Sequence, residues 1–212
     1  MISIDMTDKA VLITGGTKGI GLASALEFGR AGARTYLTHK WGSADEAALQ
    51  EQFTAAGAPP PVLIQADVVA EEDTAALLER IGEQERRIDI FVSNVGVARR
   101  VRSLRDYRKR SLFKTLEYSS WPMVDYTRRL HEKFGVYPKH ILGISSDGPD
   151  HFYPGYDFVA ASKALLELFA KYLSGHLFQE GSRVNVIRFG PVRTESFTLI
   201  FGKDFFDFLE RG

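Results

Sequence analysis

Ala10-Val11-Leu12-Ile13-Thr14-Gly15-Gly16-Thr17-Lys18-Gly19-Ile20-Gly21 decides the fold of this chain. The run Ala10–Thr14 is short and apolar, the signature of a strand buried on both faces. It passes straight into glycines at 15, 19 and 21, and the segment Ile20–Ala31 then shows helical periodicity. Glycines at these places permit a tight turn and close approach of the backbone to a pyrophosphate, which would rest on the helix N-terminus. A glycine pattern alone is weak evidence, but here strand, turn and helix follow in the order such a site requires.

Working outward, the same alternation repeats. Short apolar runs occur at Arg34–Thr38, Val62–Asp67, Ile88–Asn94, His140–Ser146 and Arg183–Phe189. Between them lie helical patterns at Ser43–Ala56, with Ser43 as its cap, at Glu71–Glu83, at Ser120–Phe134 and at Phe158–Gln179. Pro59–Pro61 reads as a turn before the third strand. Strict βαβ alternation predicts a three-layer α/β fold around a doubly wound parallel sheet, a Rossmann fold, in one domain over 1–212.

The 212 residues are 44% hydrophobic, enough for one sizeable core. Lys+Arg and Asp+Glu both number 27, so no global field draws the chain to nucleic acid or a membrane. No cysteine is present, which excludes disulfides and thiolate chemistry, and the five histidines lack metal-ligand spacing. No signal-peptide pattern and no stretch approaching the roughly 18 apolar residues of a membrane span occurs. The expectation is a soluble cytoplasmic protein without a metal.

The TGxxxGxG pattern resembles the short-chain dehydrogenase/reductase family, and further matches hold in register. Asp67-Val68 is similar to the family's adenine-binding pair, Ser93-Asn94-Val95-Gly96 to its N-N-A-G segment, and Ser145-Ser146 to its strand-end serine. The resemblance implies an oxidoreductase with a nicotinamide dinucleotide. Its cofactor contacts would be Gly15, Thr17, Lys18, Gly19, Ile20, Gly21, His39, Lys40, Asp67, Val68, Asn94, Gly96 and Lys163, with Gly190, Pro191, Val192 and Thr194. An NAD-specific site usually places an acid after the second strand; Thr38 stands at the position aligned with it. Lys18 and Lys40 would instead suit a 2′-phosphate, which favours NADP(H) over NAD(H).

Ordinary members of the family carry Tyr-x-x-x-Lys. Lys163 is present, but Val159 stands four residues before it and has no proton to give. Tyr156 lies seven residues before Lys163, and seven residues of helix advance about 700°, close to two full turns. Tyr-x6-Lys resembles the enoyl-[acyl carrier protein] reductase branch. So does Gly190-Pro191-Val192-Arg193-Thr194 after the sixth strand, and so does Gly202-Lys203-Asp204-Phe205. The branch implies NADPH-dependent reduction of a trans-2-enoyl thioester, carried by acyl carrier protein or coenzyme A, in fatty-acid or related acyl-chain synthesis. Tyr156 would bond the oxygen on which enolate charge develops, Lys163 the nicotinamide ribose, and Ser146 the acyl group or the phenol. A homodimer or homotetramer is expected, and residues 195–212 would begin the substrate-binding helical segment.

Some features stand apart. Tyr118 occupies the place of the family's relay asparagine. Relatives continue beyond the equivalent of Gly212 through a further helix and a seventh strand; either this sequence is a piece of a longer chain or the fold has lost that strand, which would expose a sheet edge. Arg99, Arg100, Arg102, Arg105, Arg108, Lys109 and Arg110 read either as a solvated helix face or as a landing patch for an acidic carrier or a coenzyme A phosphate. Two rival functions stand beside the first: carbonyl or alcohol chemistry with Tyr156 displaced to act as the acid, and a catalytically silent nucleotide-binding protein.

Overall fold

The computed structural model describes residues 4–41 and 44–202. Six parallel strands form one sheet: β1 (Ala10–Ile13), β2 (Arg34–His39), β3 (Val62–Gln65), β4 (Ile90–Ser93), β5 (His140–Ser146) and β6 (Arg183–Phe189). Their spatial order is β3-β2-β1-β4-β5-β6, so the winding reverses between β1 and β4. In such sheets ligands bind in the crevice beyond the strand C-termini at that reversal. The doubly wound, three-layer α/β fold read from the sequence is therefore what forms, and β6 is the outermost strand among the described residues.

Alternation along each strand distributes the core. Val11 and Ile13 of β1 face one layer with Leu37 and Val92, where they meet Ala25 of α1 (Gly19–Arg30) and Leu49 and Phe53 of α2 (Glu46–Ala55). Ala10 and Leu12 face the other with Phe91 and Ile141. There they meet α3 (Glu71–Gly82), α5 (Trp121–Phe134) and α6 (Asp157–Leu177), and Tyr126 of α5 stacks on Phe91 at 5.6 Å. Gly21, at the first turn of α1, is where the glycine loop demands closest packing. A Cβ there would lie 2.5 Å from the carbonyl oxygen of Gly15 and 2.6 Å from Asn94 Nδ2.

Two local expectations change. Ser43 lies outside the described residues, and α2 is capped by Asp45, whose side chain accepts from Ala48 N–H at 3.0 Å. Residues 109–119 form a separate helix, α4 (Lys109–Ser119), which sequence periodicity missed. Most of the basic run is therefore loop and a single 3₁₀ turn at Leu104–Asp106; of the seven bases only Lys109 and Arg110 belong to a helix. A last short helix, α7 (Glu195–Phe201), is capped by Thr194, which accepts from Phe197 N–H at 3.1 Å. Lys203, Asp204 and Phe205, expected in the substrate helix, lie outside the described residues.

Two glycine substitutions test this packing with opposite signs. Gly21→Ala should lower stability by about 1–3 kcal/mol, because the obstacles are backbone and a bonded amide. Gly175→Ala, on the exposed face of α6 with open space around it, should raise stability by about 0.5–1 kcal/mol through helix entropy alone. Thermal unfolding of both variants checks the pair.

Candidate active site

The glycine loop is held from two sides. Gly15 N–H donates to Thr38 Oγ1 at 3.1 Å, and Asn94 Nδ2 donates to the carbonyl oxygens of Thr14 and Gly15, each at 3.0 Å. Asn94 thus shapes the loop rather than facing open solvent, and Thr38 serves the loop too. Gly15 and Gly19 have φ of 63° and 57°, the left-handed region that suits glycine. Lys18 precedes α1 with no side-chain cap on the first helical N–H groups. Thr17 and Ile20 lie within the same turn, beneath which Gly21 brings helix and strand together.

At the adenosine end, Lys40 is not a bare cation waiting for phosphate. Its ammonium forms an ion pair with Asp67 and donates to Tyr118 Oη at 2.7 Å, while Tyr118 donates to Asp67 Oδ2 at 2.9 Å. Burial pushes the Asp67 carboxyl up, but the bonds from Lys40 and Tyr118 outweigh it and hold it below the ordinary carboxylate range. Tyr118, which stands in the sequence at the place of the relay asparagine, instead lies bonded to Lys40 and Asp67. Its neighbour Ser119 faces the inner end of the crevice, accepting from Val97 N–H at 3.0 Å. Val68 is buried beside this group, and His39 is buried with Nδ1 unpartnered among the described residues. Lys18 is paired with Glu195 at 2.8 Å, both groups being exposed. The two lysines assigned to a 2′-phosphate thus each hold a carboxylate in this structure.

At the reaction end, Tyr156 is the residue that caps α6 rather than one within it, yet Ala160 N–H donates to its carbonyl oxygen at 2.8 Å. The helical register with Lys163 consequently begins at Tyr156. Tyr156 Oη donates to Ser146 Oγ at 3.2 Å. Ser145 is otherwise engaged, donating to Glu167 at 2.6 Å, so Ser146 is the strand-end serine that meets the phenol. Gly148 makes room for the ring: a Cβ there would come within 2.6 Å of it. Burial pushes the phenol up despite the opposing bond to Ser146, so it stays protonated and able to donate. Val159 is buried in the first turns of α6.

Lys163 is buried and donates from Nζ to the carbonyl oxygen of Ile144 at 2.6 Å. Desolvation lowers its pKa to about 8. Its ammonium lies 3.8 Å from where a Gly96 Cβ would stand, with Ser119 Oγ at 3.9 Å from the same point. Gly96 therefore keeps open a space lined by Lys163 and Ser119. Gly190, Pro191 and Val192 follow β6 outside any helix or strand, and Thr194 brings its methyl within 3.4 Å of a Cβ at Gly19. Glycine loop, Lys163 and the 190–194 segment thus border one crevice, and α7 closes over it with Phe201 stacked on Tyr156 at 5.6 Å. A loop with left-handed glycines, a space at Gly96 and an unpartnered His39 nitrogen fit an elongated dinucleotide.

Comparison with known proteins follows the same lines. The family model described as enoyl-(acyl carrier protein) reductase matches residues 15–211. The short-chain dehydrogenase/reductase FrzI of Cladobotryum sp is 30% identical over 90% of this chain and 73% of its own length. The 1-cyclohexenylcarbonyl-CoA reductase of Streptomyces collinus is 27% identical over 87% of this chain and 65% of its own. The enoyl-[acyl-carrier-protein] reductase (NADH) of Aquifex aeolicus VF5 superposes with a TM-score of 0.80 at 25% identity, over 92% of this chain and 79% of that structure. The chain spans between about two thirds and three quarters of the two curated relatives' lengths.

The buried lysine generates a test independent of activity. Its folded pKa of about 8 lies below the unfolded value of 10.5. Its charge therefore opposes folding in full below pH 8, and this cost fades as pH rises from 8 toward 10.5. Lys163→Met should raise the unfolding temperature of the ligand-free protein at pH 7 and lose most of that advantage by pH 10.

Proposed function

Because the chain belongs to the short-chain dehydrogenase/reductase superfamily, whose members are oxidoreductases with a nicotinamide cofactor, we propose that it reduces the carbon–carbon double bond of a trans-2-enoyl thioester with NADPH. The observation that carries this reading is the Tyr156–Ser146 hydrogen bond at 3.2 Å, made by a tyrosine seven residues before Lys163 while Val159 is buried and cannot donate. The match to the enoyl reductase family model and the likeness to an enoyl-thioester reductase support it.

A nicotinamide dinucleotide bound in the crevice would supply hydride to the β-carbon of the substrate, and the α-carbon would take its proton from solvent. The work of this chain is to stabilise the negative charge that then develops on the thioester oxygen. Tyr156 offers a phenol proton there, a donor placed where charge appears rather than where it exists in the ground state. Ser146 accepts from that phenol and so fixes the direction of its O–H. Lys163, anchored by the Ile144 carbonyl, would hold the ribose hydroxyls and add positive potential to the site. Phe201 on Tyr156 and Phe197 on Phe201 give the acyl chain an apolar roof that excludes water. Gly15, Gly19 and Gly21 admit the pyrophosphate, while Lys18 and Lys40, released from Glu195 and Asp67, receive the 2′-phosphate. Exposed Phe113, Trp121, Leu168 and Tyr172 supply an apolar face for the homodimer or homotetramer.

The Tyr156–Ser146 pair also suits a carbonyl substrate, where the phenol would give its proton to an alkoxide. Cofactor oxidation with crotonyl and acetoacetyl thioesters, measured side by side, separates the two. Turnover of crotonyl alone is expected; turnover of acetoacetyl alone would make the protein a ketoreductase. Tyr156→Phe should cut kcat by about 10²–10³ with little change in cofactor affinity, whereas Lys163→Met should weaken both.

Cofactor choice has its own measurement. NADPH should bind more tightly than NADH, and Lys40→Ala should narrow the gap. Equal affinities for the two in the unmodified protein would contradict the assignment of Lys18 and Lys40 to a phosphate.

A further inference from the structure

The basic run acquires a defined place in the structure. Val101 N–H donates to the carbonyl oxygen of Gly155 at 3.2 Å, and Arg100 packs so closely that a Cβ on Gly155 would meet its Cγ at 2.8 Å. Tyr107 Oη donates to Asp157 Oδ1 at 2.5 Å, and its ring meets Phe158 edge-on at 5.2 Å. The loop is thus fastened to the residues on both sides of Tyr156. Between loop and anchor runs a groove of about 390 Å3, lined in part by Arg100, Arg102, Leu104, Tyr107 and Phe152. Leu104 and Phe152 stand 82% and 84% exposed at its rim, an unusual place for large apolar side chains without an occupant.

Positive charge dominates this groove, whose lining carboxylate, Asp157, accepts from Tyr107. None of the seven bases forms an ion pair among the described residues, whereas Arg34, Arg87, Arg128, Arg129, Lys133 and Arg188 each do. The single acid within the run, Asp106, spends its carboxylate on the backbone N–H groups of Arg102 and Ser103, at 2.9 and 3.0 Å. In a chain with 27 bases and 27 acids, seven unpaired cations in twelve residues make a local positive field rather than a share of a global one. No buried polar side chain lies in the groove to orient a nucleotide phosphate; the cations are spread over an exposed loop with apolar knobs among them. That arrangement matches an acidic protein surface carrying apolar residues, for which broad charge complementarity steers encounter and the knobs fix register.

We propose that the 99–110 loop, with Phe152, is the docking surface for an acidic acyl-carrying protein that delivers its thioester toward Tyr156. This rests on the enoyl-thioester reading above. The test compares the full chain with an Arg102→Glu, Arg105→Glu, Lys109→Glu variant on three crotonyl thioesters: of holo-acyl carrier protein, of coenzyme A and of N-acetylcysteamine. At low salt, kcat/KM for the carrier-bound substrate should fall at least about tenfold through KM, while the other two substrates are unaffected. In the parent, raising ionic strength past about 0.1 M should reproduce the loss, because exposed charges are screened within about 10 Å there. An unchanged KM for the carrier overturns the proposal. An equal loss on coenzyme A overturns it in favour of a phosphate site, and an equal loss on all three in favour of a structural role. If the parent reduces none of the three, the function reading fails instead; docking is then judged by titrating labelled holo-acyl carrier protein, and binding that the reversal does not weaken overturns it.

Discussion

The bonds of Thr14 and Asn94 across the β1–β4 junction are the constraint on which the site depends. Thr14 N–H donates to the Val92 carbonyl at 3.1 Å, and Asn94 N–H to Thr14 Oγ1 at 3.1 Å. The Asn94 side chain then takes the two carbonyl oxygens that the turn would otherwise leave without a partner. Strand order reverses at this junction, so no neighbouring strand fills the space beyond it. The result is a turn whose backbone is held by the side chains of Thr14 and Asn94. Everything on the far side, from Lys163 to Thr194, is placed by strands that run in register with β4.

Much of this was legible in the sequence because it is periodic or stereochemical. Continuous apolar runs announced strands buried on two faces, as β1, β2 and β4 are, whereas β6 at the sheet edge exposes most of its residues; both layers of the core follow from alternation along the inner strands. Glycines at 15, 19 and 21 marked a tight turn, and Gly15 and Gly19 are indeed at positive φ. What was not legible is tertiary. α4 went unread because KRSLFKTLEYS is polar at its first turn and buries Thr115, Tyr118 and Ser119 rather than an apolar stripe, leaving Phe113 exposed. The partners of Lys18 and Lys40 are 177 and 27 residues away in the chain, and no local pattern reveals them. The same holds for Tyr118, which a gap-free count placed in a relay and the fold placed beside Asp67.

The placement of the phenol at 156 rather than at 159 has a physical logic. A phenol at the start of α6 sits at the end of the helix, where Gly148 and Ser146 can approach it and Phe201 can cover it. Val159, one turn further in, is buried and has no proton to give. Lys163 keeps its position because its ammonium needs the Ile144 carbonyl, and burial leaves it with a pKa near 8. A cation held so close to losing its proton is costly to the fold, which is the usual condition of a group retained for chemistry rather than stability.

The account is tested most directly by following the transferred hydrogen. With NADPH deuterated at C4 of the nicotinamide and a crotonyl thioester, the product should carry deuterium at C3 and a solvent-derived proton at C2, read by mass spectrometry and proton NMR. Absence of label from C3, together with deuterium on the carbinol carbon when an acetoacetyl thioester is supplied, would contradict it.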